Sequence, residues 1–253
     1  MFVDTHCHLD HPSLSGRLRQ VLEAARGCGV TRIMVPGVGP DGWPQIDSLA
    51  KSETGVFAAF GLHPMLADHY GEGLLGRLAD YSAGAVAIGE IGLDYALLDV
   101  SRELQMTAFR RQLRVAVECG LPVLIHCRKA FRDVLGILRE EKVQRVGGVM
   151  HSFSGSHEVA VECIRLGLLI SVSGTVTYKN AVRPVEVVRK IPLDHLLLET
   201  DAPDMTPEPH RGSDNEPAFM VQTARKVAGI KGIDVEEVAA VTTRNAERIF
   251  GLN

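Results

Sequence analysis

Short apolar segments rich in Val and Ile alternate with longer segments of helical period along the whole chain. This alternation restricts the possible folds to α/β architectures. Between the apolar segments, residues 14–27, 103–120 and 130–141 place Leu, Val, Ile and Ala three and four positions apart, as helices with one apolar stripe do. We predict strands at residues 2–9, 32–38, 56–62, 86–93, 122–126, 148–151, 168–172 and 195–199.

Eight strand and helix pairs in 253 residues match the size of a closed (β/α)8 barrel. We therefore predict an α/β fold of the TIM-barrel type, with residues 1–253 forming a single domain. Gly27 or Gly29, Gly120 and Gly167 precede the next strands, where a left-handed residue commonly ends a helix. A doubly wound open sheet is the alternative, because local patterns do not reveal closure.

Composition and charge exclude several classes of protein. The formal net charge is −4, so no global basic field attracts nucleic acid. No segment approaches the roughly 20 consecutive apolar residues that span a bilayer. The first residues lack the basic region followed by an apolar stretch that is typical of a signal peptide. The five cysteines form no C-x-x-C pair and indicate reduced thiols. We expect a cytoplasmic protein without membrane contact or an obligate protein partner.

Polar side chains close most of the apolar segments on their C-terminal side. His6 and His8 alternate along the first predicted strand, so they would share a face and point toward one cation. The other residues of this kind are His63, Glu90, His126, His151, Glu199 and Asp201. Active sites of barrels lie at these strand ends, where grouped carboxylates and imidazoles need cations to neutralise them. The sequence predicts a site for zinc, manganese or, more weakly, magnesium.

Several segments resemble motifs of the TatD family of metal-dependent hydrolases, within the amidohydrolase-like barrels. They are THCHLD, GLHP, GEIGLDY, LPVLIHCR, HSFSGS, and LLLETDAPD followed by RGSDNEP. The resemblance runs from Thr5 nearly to Phe250. It implies a deoxyribonuclease that acts on DNA or a nucleotide substrate with two divalent metal ions. Cys127, where many relatives have Ser or Thr, and the apolar residues 96–98 depart from the family pattern.

The resemblance also implies roles for individual residues. His6, His8 and Asp201 would hold the first metal ion, Glu90 would bridge both ions, and His126 and His151 would hold the second. His63 is similar to a histidine that contacts the substrate phosphate in this family.

Further residues have candidate roles in the reaction. Asp201 is our candidate general base, with activation of the water by Glu90 as the alternative. Arg128 could neutralise phosphate oxygens or, equally, be a solvated residue that pairs with Asp133. In the proline-rich segment 201–217, Arg211 and Asn215 are candidates for substrate contact or loop closure.

Two other functions are compatible with this sequence. The same binuclear centre could hydrolyse another ester or an amide, for example an aminoacyl ester, because an activated water attacks carbonyl and phosphoryl groups alike. Glu90 occupies the bridging position in place of a carboxylated lysine, which argues against cyclic-amide hydrolysis. The second alternative is a nucleic-acid or metal binding protein without turnover.

Overall fold

The computed structural model describes residues 1–252. Eight parallel strands pair in chain order to form one sheet. Their bounds are β1 Phe2–Asp4, β2 Val30–Pro36, β3 Val56–Phe60, β4 Ala87–Asp94, β5 Val123–Arg128, β6 Gly148–Met150, β7 Leu168–Val172 and β8 Leu196–Leu198. The predicted β/α barrel is confirmed. In β2 to β8, both ends of each strand lie within two residues of the predicted ends.

The sheet closes between β1 and β8. The Thr5 amide donates to the Leu198 carbonyl at 3.1 Å, the Asp201 amide to the His6 carbonyl at 2.8 Å, and the His8 amide to the Ala202 carbonyl at 2.9 Å. An open sheet would leave these edge groups without partners. The alternative of a doubly wound sheet is therefore wrong.

The helices lie between the strands and cover the outside of the barrel. Their bounds are α1 Pro12–Ser15, α2 Leu18–Gly27, α3 Trp43–Ser52, α4 Glu72–Ser82, α5 Arg102–Cys119, α6 Phe131–Glu140, α7 His157–Arg165, α8 Arg183–Lys190, α9 Met220–Lys231 and α10 Val235–Phe250. The predicted helix at 14–27 is two helices, because the chain breaks at Gly16 and Arg17. Among the helices of residues 1–252, none is long and apolar enough to span a bilayer.

Three of the four glycines named as helix ends adopt the predicted left-handed conformation. The φ angles are +82° at Gly29, +69° at Gly120 and +80° at Gly167. Gly27 is the last residue of α2 and has no such angle. The chain turns from helix to strand at these positions, where a side chain would be strained.

The inside of the barrel is filled by one apolar layer to which every strand contributes one residue. These residues are Val3, Met34, Ala59, Ala87, Leu124, Val149, Leu169 and Leu197. Ala246 and Phe250 of α10, with Leu252 after it, pack against the same layer. A second and larger apolar cluster lies between the strands and the surrounding helices. The inner layer forms the floor on which the polar residues of the strand ends lie.

Candidate metal centre

Strand geometry sends three polar side chains into the barrel above the apolar layer. His126, His151 and Glu199 each lie two positions after a residue of that layer. Because side chains alternate between the two faces of a strand, these three point into the lumen. The ring nitrogen Nδ1 of His151 lies 3.1 Å from Oε1 of Glu199, which places both in one cluster.

The cluster lies in a cavity of about 590 Å³ at the C-terminal ends of the strands. Apolar side chains, among them Phe153 and Met205, form part of its wall. The polar residues that line the cavity include His8, His63, Glu90, His126, Arg128, His151 and Asp201. Five of the six residues predicted as metal ligands line this cavity. The sixth, His6, does not line it but contacts Glu90, with Nε2 3.4 Å from Oε2.

Glu90 is the centre of the cluster. Its Oε1 lies 3.0 Å from Nδ1 of His126, 3.6 Å from Nε2 of His151 and 3.7 Å from Nε2 of His63. Its Oε2 lies 3.4 Å from Nε2 of His6. Glu90 lies on β4, which pairs with β5. The two strands approach closely at Gly92, which lies opposite His126. At Gly92, with φ +149°, a Cβ would lie 1.9 Å from a β5 carbonyl oxygen, so only glycine fits.

Asp201 occupies the other side of the cluster. Its Oδ1 lies 3.7 Å from Nε2 of each of His6, His8 and His151. The backbone at Asp201 is left-handed, with φ +59°. This conformation is unfavourable for a residue with a side chain, and such strain is common at functional sites.

The two histidines near the N-terminus reach the cluster by a route that differs from the prediction. We expected them on a strand over residues 2–9, but β1 ends at Asp4. Beyond Asp4, the backbone amides alternate between two neighbouring segments. The Cys7 amide donates to the Met34 carbonyl of β2, and the His8 amide donates to the Ala202 carbonyl after β8. Asp4, which has the same parity in sequence, stays outside the cluster and accepts hydrogen bonds from Thr200. The predicted C-terminal end of this strand is therefore wrong, although the strand begins at Phe2 as predicted. His8 lines the cavity, and His6 contacts Glu90 without lining it.

The donor set fits divalent cations. Nε2 of His6 is buried and has no hydrogen-bond partner among residues 1–252. Burial, reinforced by the neighbouring His151, lowers the pKa of His6 to about 4, so the ring is the neutral form that binds metals. Burial raises the pKa of the Cys127 thiol to about 12 and that of Cys7 well above its usual range. Among the described residues, the groups whose possible ligand atoms lie within 4.8 Å of one another contain histidines and glutamates but no cysteine.

The carboxylates make the cluster attractive to positive charge. Burial opposes protonation of His151, but Glu199, Asp201 and Glu90 outweigh it and raise its pKa to about 10. Burial also raises the pKa of Asp201, to about 8, with the negative charges of Glu199 and Glu90 adding to the effect. Bound cations would relieve the same repulsion.

Two carboxylates orient histidines of the cluster. Oδ2 of Asp94 lies 3.3 Å from Nε2 of His126, on the side of the ring opposite Glu90. Glu199 lies beside Nδ1 of His151 in the same way and also accepts a hydrogen bond from the Ser152 amide at 2.6 Å. Sequence analysis missed the contact of Asp94. Its position four residues after Glu90, on a buried strand, was the available signal.

The two predicted substrate contacts lie at different depths. Nδ1 of His63 accepts a hydrogen bond from the Met65 amide at 3.1 Å, so the neutral ring carries its proton on Nε2, which faces Glu90. Arg128 is exposed at the rim of the cavity. The alternative pairing of Arg128 with Asp133 is not formed, and Asp133 instead accepts a hydrogen bond from Tyr95 at 2.7 Å.

Asn215 closes the loop that follows β8. Its side-chain amide donates to the carbonyls of Thr200 at 2.8 Å and Asp204 at 2.7 Å, on either side of Asp201. Its side-chain oxygen accepts from the Glu216 amide at 2.9 Å. Of its two predicted roles, the structure shows loop closure.

Known proteins resemble this chain in sequence along nearly its whole length. Residues 3–251 match the sequence profile of the family described as TatD related DNase. The chain is 42% identical to the uncharacterized metal-dependent hydrolase YabD of Bacillus subtilis, covering 100% of both chains. It is 39% identical to the uncharacterized metal-dependent hydrolase YcfH of Escherichia coli, covering 99% of this chain and 96% of that one.

The fold agrees with a solved structure of the same group. The crystal structure of YjjV, a TatD homologue from E. coli, superposes with a TM-score of 0.95 at 34% identity, covering 100% of this chain and 98% of that one. A yeast protein described as an uncharacterized amidohydrolase shares the fold, with a TM-score of 0.85 at 21% identity.

Proposed function

The chain belongs to the TatD family of metal-dependent hydrolases, and we propose that it hydrolyses phosphodiester bonds of DNA with the help of divalent metal ions. The observation that carries this proposal is Glu90, which has nitrogens of four histidines within 3.7 Å at the base of an open cavity. The description of the family as DNases supports DNA as the substrate class.

We assign the cluster to two divalent ions. His6, His8 and Asp201 would hold the first, because Oδ1 of Asp201 lies 3.7 Å from Nε2 of both histidines. His126 and His151 would hold the second, and Glu90 would contact both. Asp94 and Glu199 would orient the second pair of rings, as carboxylates commonly do for metal-bound histidines. Zinc, manganese and magnesium all suit imidazole and carboxylate donors in some degree.

Divalent ions at this position would polarise a phosphoryl oxygen and make a water acidic near neutral pH. The protein supplies the proton acceptor, for which Asp201 is our assignment. Its carboxylate faces the cavity among three imidazoles. A carboxylate at this position would be within reach of a water that the metal ions hold.

The phosphodiester would be oriented by His63 and Arg128. The proton on Nε2 of His63 faces the cavity and can be donated in a hydrogen bond to a nonbridging phosphate oxygen. Burial lowers the pKa of His63 to about 4, so it acts as a neutral donor. Arg128 lies at the rim and has no contact with Asp133, which accepts a hydrogen bond from Tyr95, so its positive charge would be available to a substrate phosphate.

The proposal is tested with chelator-treated protein reloaded separately with manganese, zinc and magnesium. Single-stranded DNA, duplex DNA, an aminoacyl ester and a simple amide are the substrates. We expect DNA cleavage that falls by at least about 100-fold in Glu90→Gln and Asp201→Asn. Glu237→Gln, on the exposed first turn of α10, is the matched control and should retain full activity.

Metal content, measured by inductively coupled plasma mass spectrometry, tests the assignment of both carboxylates as ligands. Glu90→Gln and Asp201→Asn should each bind less metal than the control variant. Hydrolysis of the aminoacyl ester or the amide without cleavage of DNA would replace our substrate assignment with the second candidate class. DNA cleavage that survives Glu90→Gln would overturn the assignment of the centre.

A further inference from the structure

The loops that follow β7 and β8 are joined along one side of the cavity. A Cβ at Gly174 would lie 2.2 Å from the Met205 carbonyl oxygen, so the two backbones are in direct contact. The Glu208 amide donates to the Thr177 hydroxyl at 2.9 Å. These contacts fix the two loops relative to each other and to the cavity, which both of them line.

An arginine stacks on a tyrosine at the outer edge of these joined loops. The guanidinium carbon of Arg211 lies 4.0 Å from the ring centroid of Tyr178. The ring is half-buried, and the arginine is exposed. A guanidinium over an aromatic ring is attracted to it and can keep hydrogen-bond donors free along its edge. The pair is therefore a cationic group that faces solvent.

Two further cations follow Tyr178 closely in the chain. Lys179 follows Tyr178, and Arg183 begins α8, next to Pro184 of the cavity wall. Both are exposed, and within residues 1–252 neither they nor Arg211 takes part in an ion pair or a side-chain hydrogen bond. The protein has a formal net charge of −4, so three unpaired cations beside the cavity are a local departure from its overall charge. The surface formed by Tyr178, Lys179, Arg183 and Arg211 is called the basic rim below.

Carboxylates are also present near the basic rim. Asp204 and Glu208 are close enough to influence the Tyr178 hydroxyl, but neither pairs with Arg211. Asp204 lines the cavity itself, on the inner side of the loop. Lys179, Arg183 and Arg211 are not among the residues that line the cavity, although Arg183 precedes the lining residue Pro184.

We infer that the basic rim binds the phosphate backbone of a DNA strand that continues beyond the reacting phosphodiester. The inference rests on the proposed nuclease function and extends it from one bond to a longer substrate. Arg211 would contact a phosphate directly, and Tyr178 is a positioning residue that holds the guanidinium in place. Lys179 and Arg183 would add positive charge for the neighbouring phosphates.

The test compares a single-stranded 20-mer with bis(p-nitrophenyl) phosphate, a diester too small to reach the basic rim. The ratio measured is kcat/KM for the 20-mer divided by kcat/KM for the small diester. We expect Arg211→Ala to lower this ratio by about five-fold, mainly through a higher KM for the 20-mer. The salt dependence of that KM should weaken by about 0.7 in log–log slope, as expected for one lost phosphate contact on a single strand.

Variants of Tyr178 test the positioning role. Tyr178→Ala should lower the ratio in the same direction as Arg211→Ala, and Tyr178→Phe, which keeps the ring, should restore it. Arg225→Ala, at an exposed arginine on the outer face of α9, is the matched control.

The outcomes separate this inference from the proposed function. Wild-type protein that cleaves neither the 20-mer nor the small diester contradicts the nuclease proposal itself. Wild-type cleavage of both substrates, with equal ratios in Arg211→Ala and Arg225→Ala, leaves the nuclease proposal intact and overturns the basic rim. An equal loss on both substrates in Arg211→Ala would also overturn it, because a general structural defect would explain that result.

Discussion

Replacement of Asn215 by alanine should destabilise the protein by about 3 kcal/mol, because its side chain makes three hydrogen bonds and is fully buried. The carbonyl of Thr200 is buried, and loss of its partner costs about 1–3 kcal/mol. Asp204 is exposed and Glu216 is half-buried, so water can replace the lost partner at each. Those two losses cost about 0.5–1.5 kcal/mol each.

Denaturation of metal-free protein measures this loss without a contribution from bound ions. A chain of this length shifts its melting temperature by about 2–4 °C per kcal/mol, so Asn215→Ala should melt about 6–12 °C below wild type. Ser213→Ala is the matched control in the same loop. Its hydroxyl donates to the His210 carbonyl at 2.8 Å, but the residue is exposed, and we expect a change below about 0.5 kcal/mol. An Asn215→Ala variant that melts within about 2 °C of wild type would refute this account of the loop.

Three further predictions concern the strands, the cluster and an ion pair. Gly92→Ala should yield little folded protein, because its new Cβ would collide with the β5 backbone. Gly136→Ala, in the interior of α6 with open space around it, should instead raise the free energy of unfolding by about 0.5–1 kcal/mol. Soluble yield and urea denaturation of the two variants measure these effects. Glu199→Gln should weaken manganese binding, measured by calorimetry, by about 10–100-fold while circular dichroism stays native; unchanged affinity would contradict the orienting role. Hydrogen bonds from two arginines hold the pKa of Glu141 below its ordinary value of 4.5. The stabilisation is therefore present above that value and is lost as pH falls through the folded pKa, so wild type and Glu141→Gln should converge in melting temperature as pH falls from about 6 to 3.

The barrel was predictable because its strands carry their own signal. Each is a short apolar segment bounded by turn residues, and seven of the eight were placed near their observed positions. Closure was inferred from their number, and the bonds between Thr5 and Leu198 confirm it. No local pattern encodes that contact, because its two residues are far apart along the chain.

The polar residues of the strand ends were also predictable, because an imidazole or a carboxylate after an apolar strand is unusual. Their contacts were harder to predict. Alternation of polar and apolar residues made 2–9 look like one strand, but the regular strand ends at Asp4, and the residues after it make only isolated hydrogen bonds to the neighbouring strands. The roles of Asp94 and Asn215 depend on which atoms they meet across the barrel and the loop, and spacing along the chain does not contain this information.

The apolar layer inside the barrel gives the cavity a single entrance. Eight side chains fill the lumen below the polar cluster, and Phe250 and Leu252 pack beneath them. The polynucleotide substrate that we propose would therefore have no route through the barrel and would bind from one face. Under the proposed function, the nucleotide products would leave through the same opening and should compete with fresh substrate.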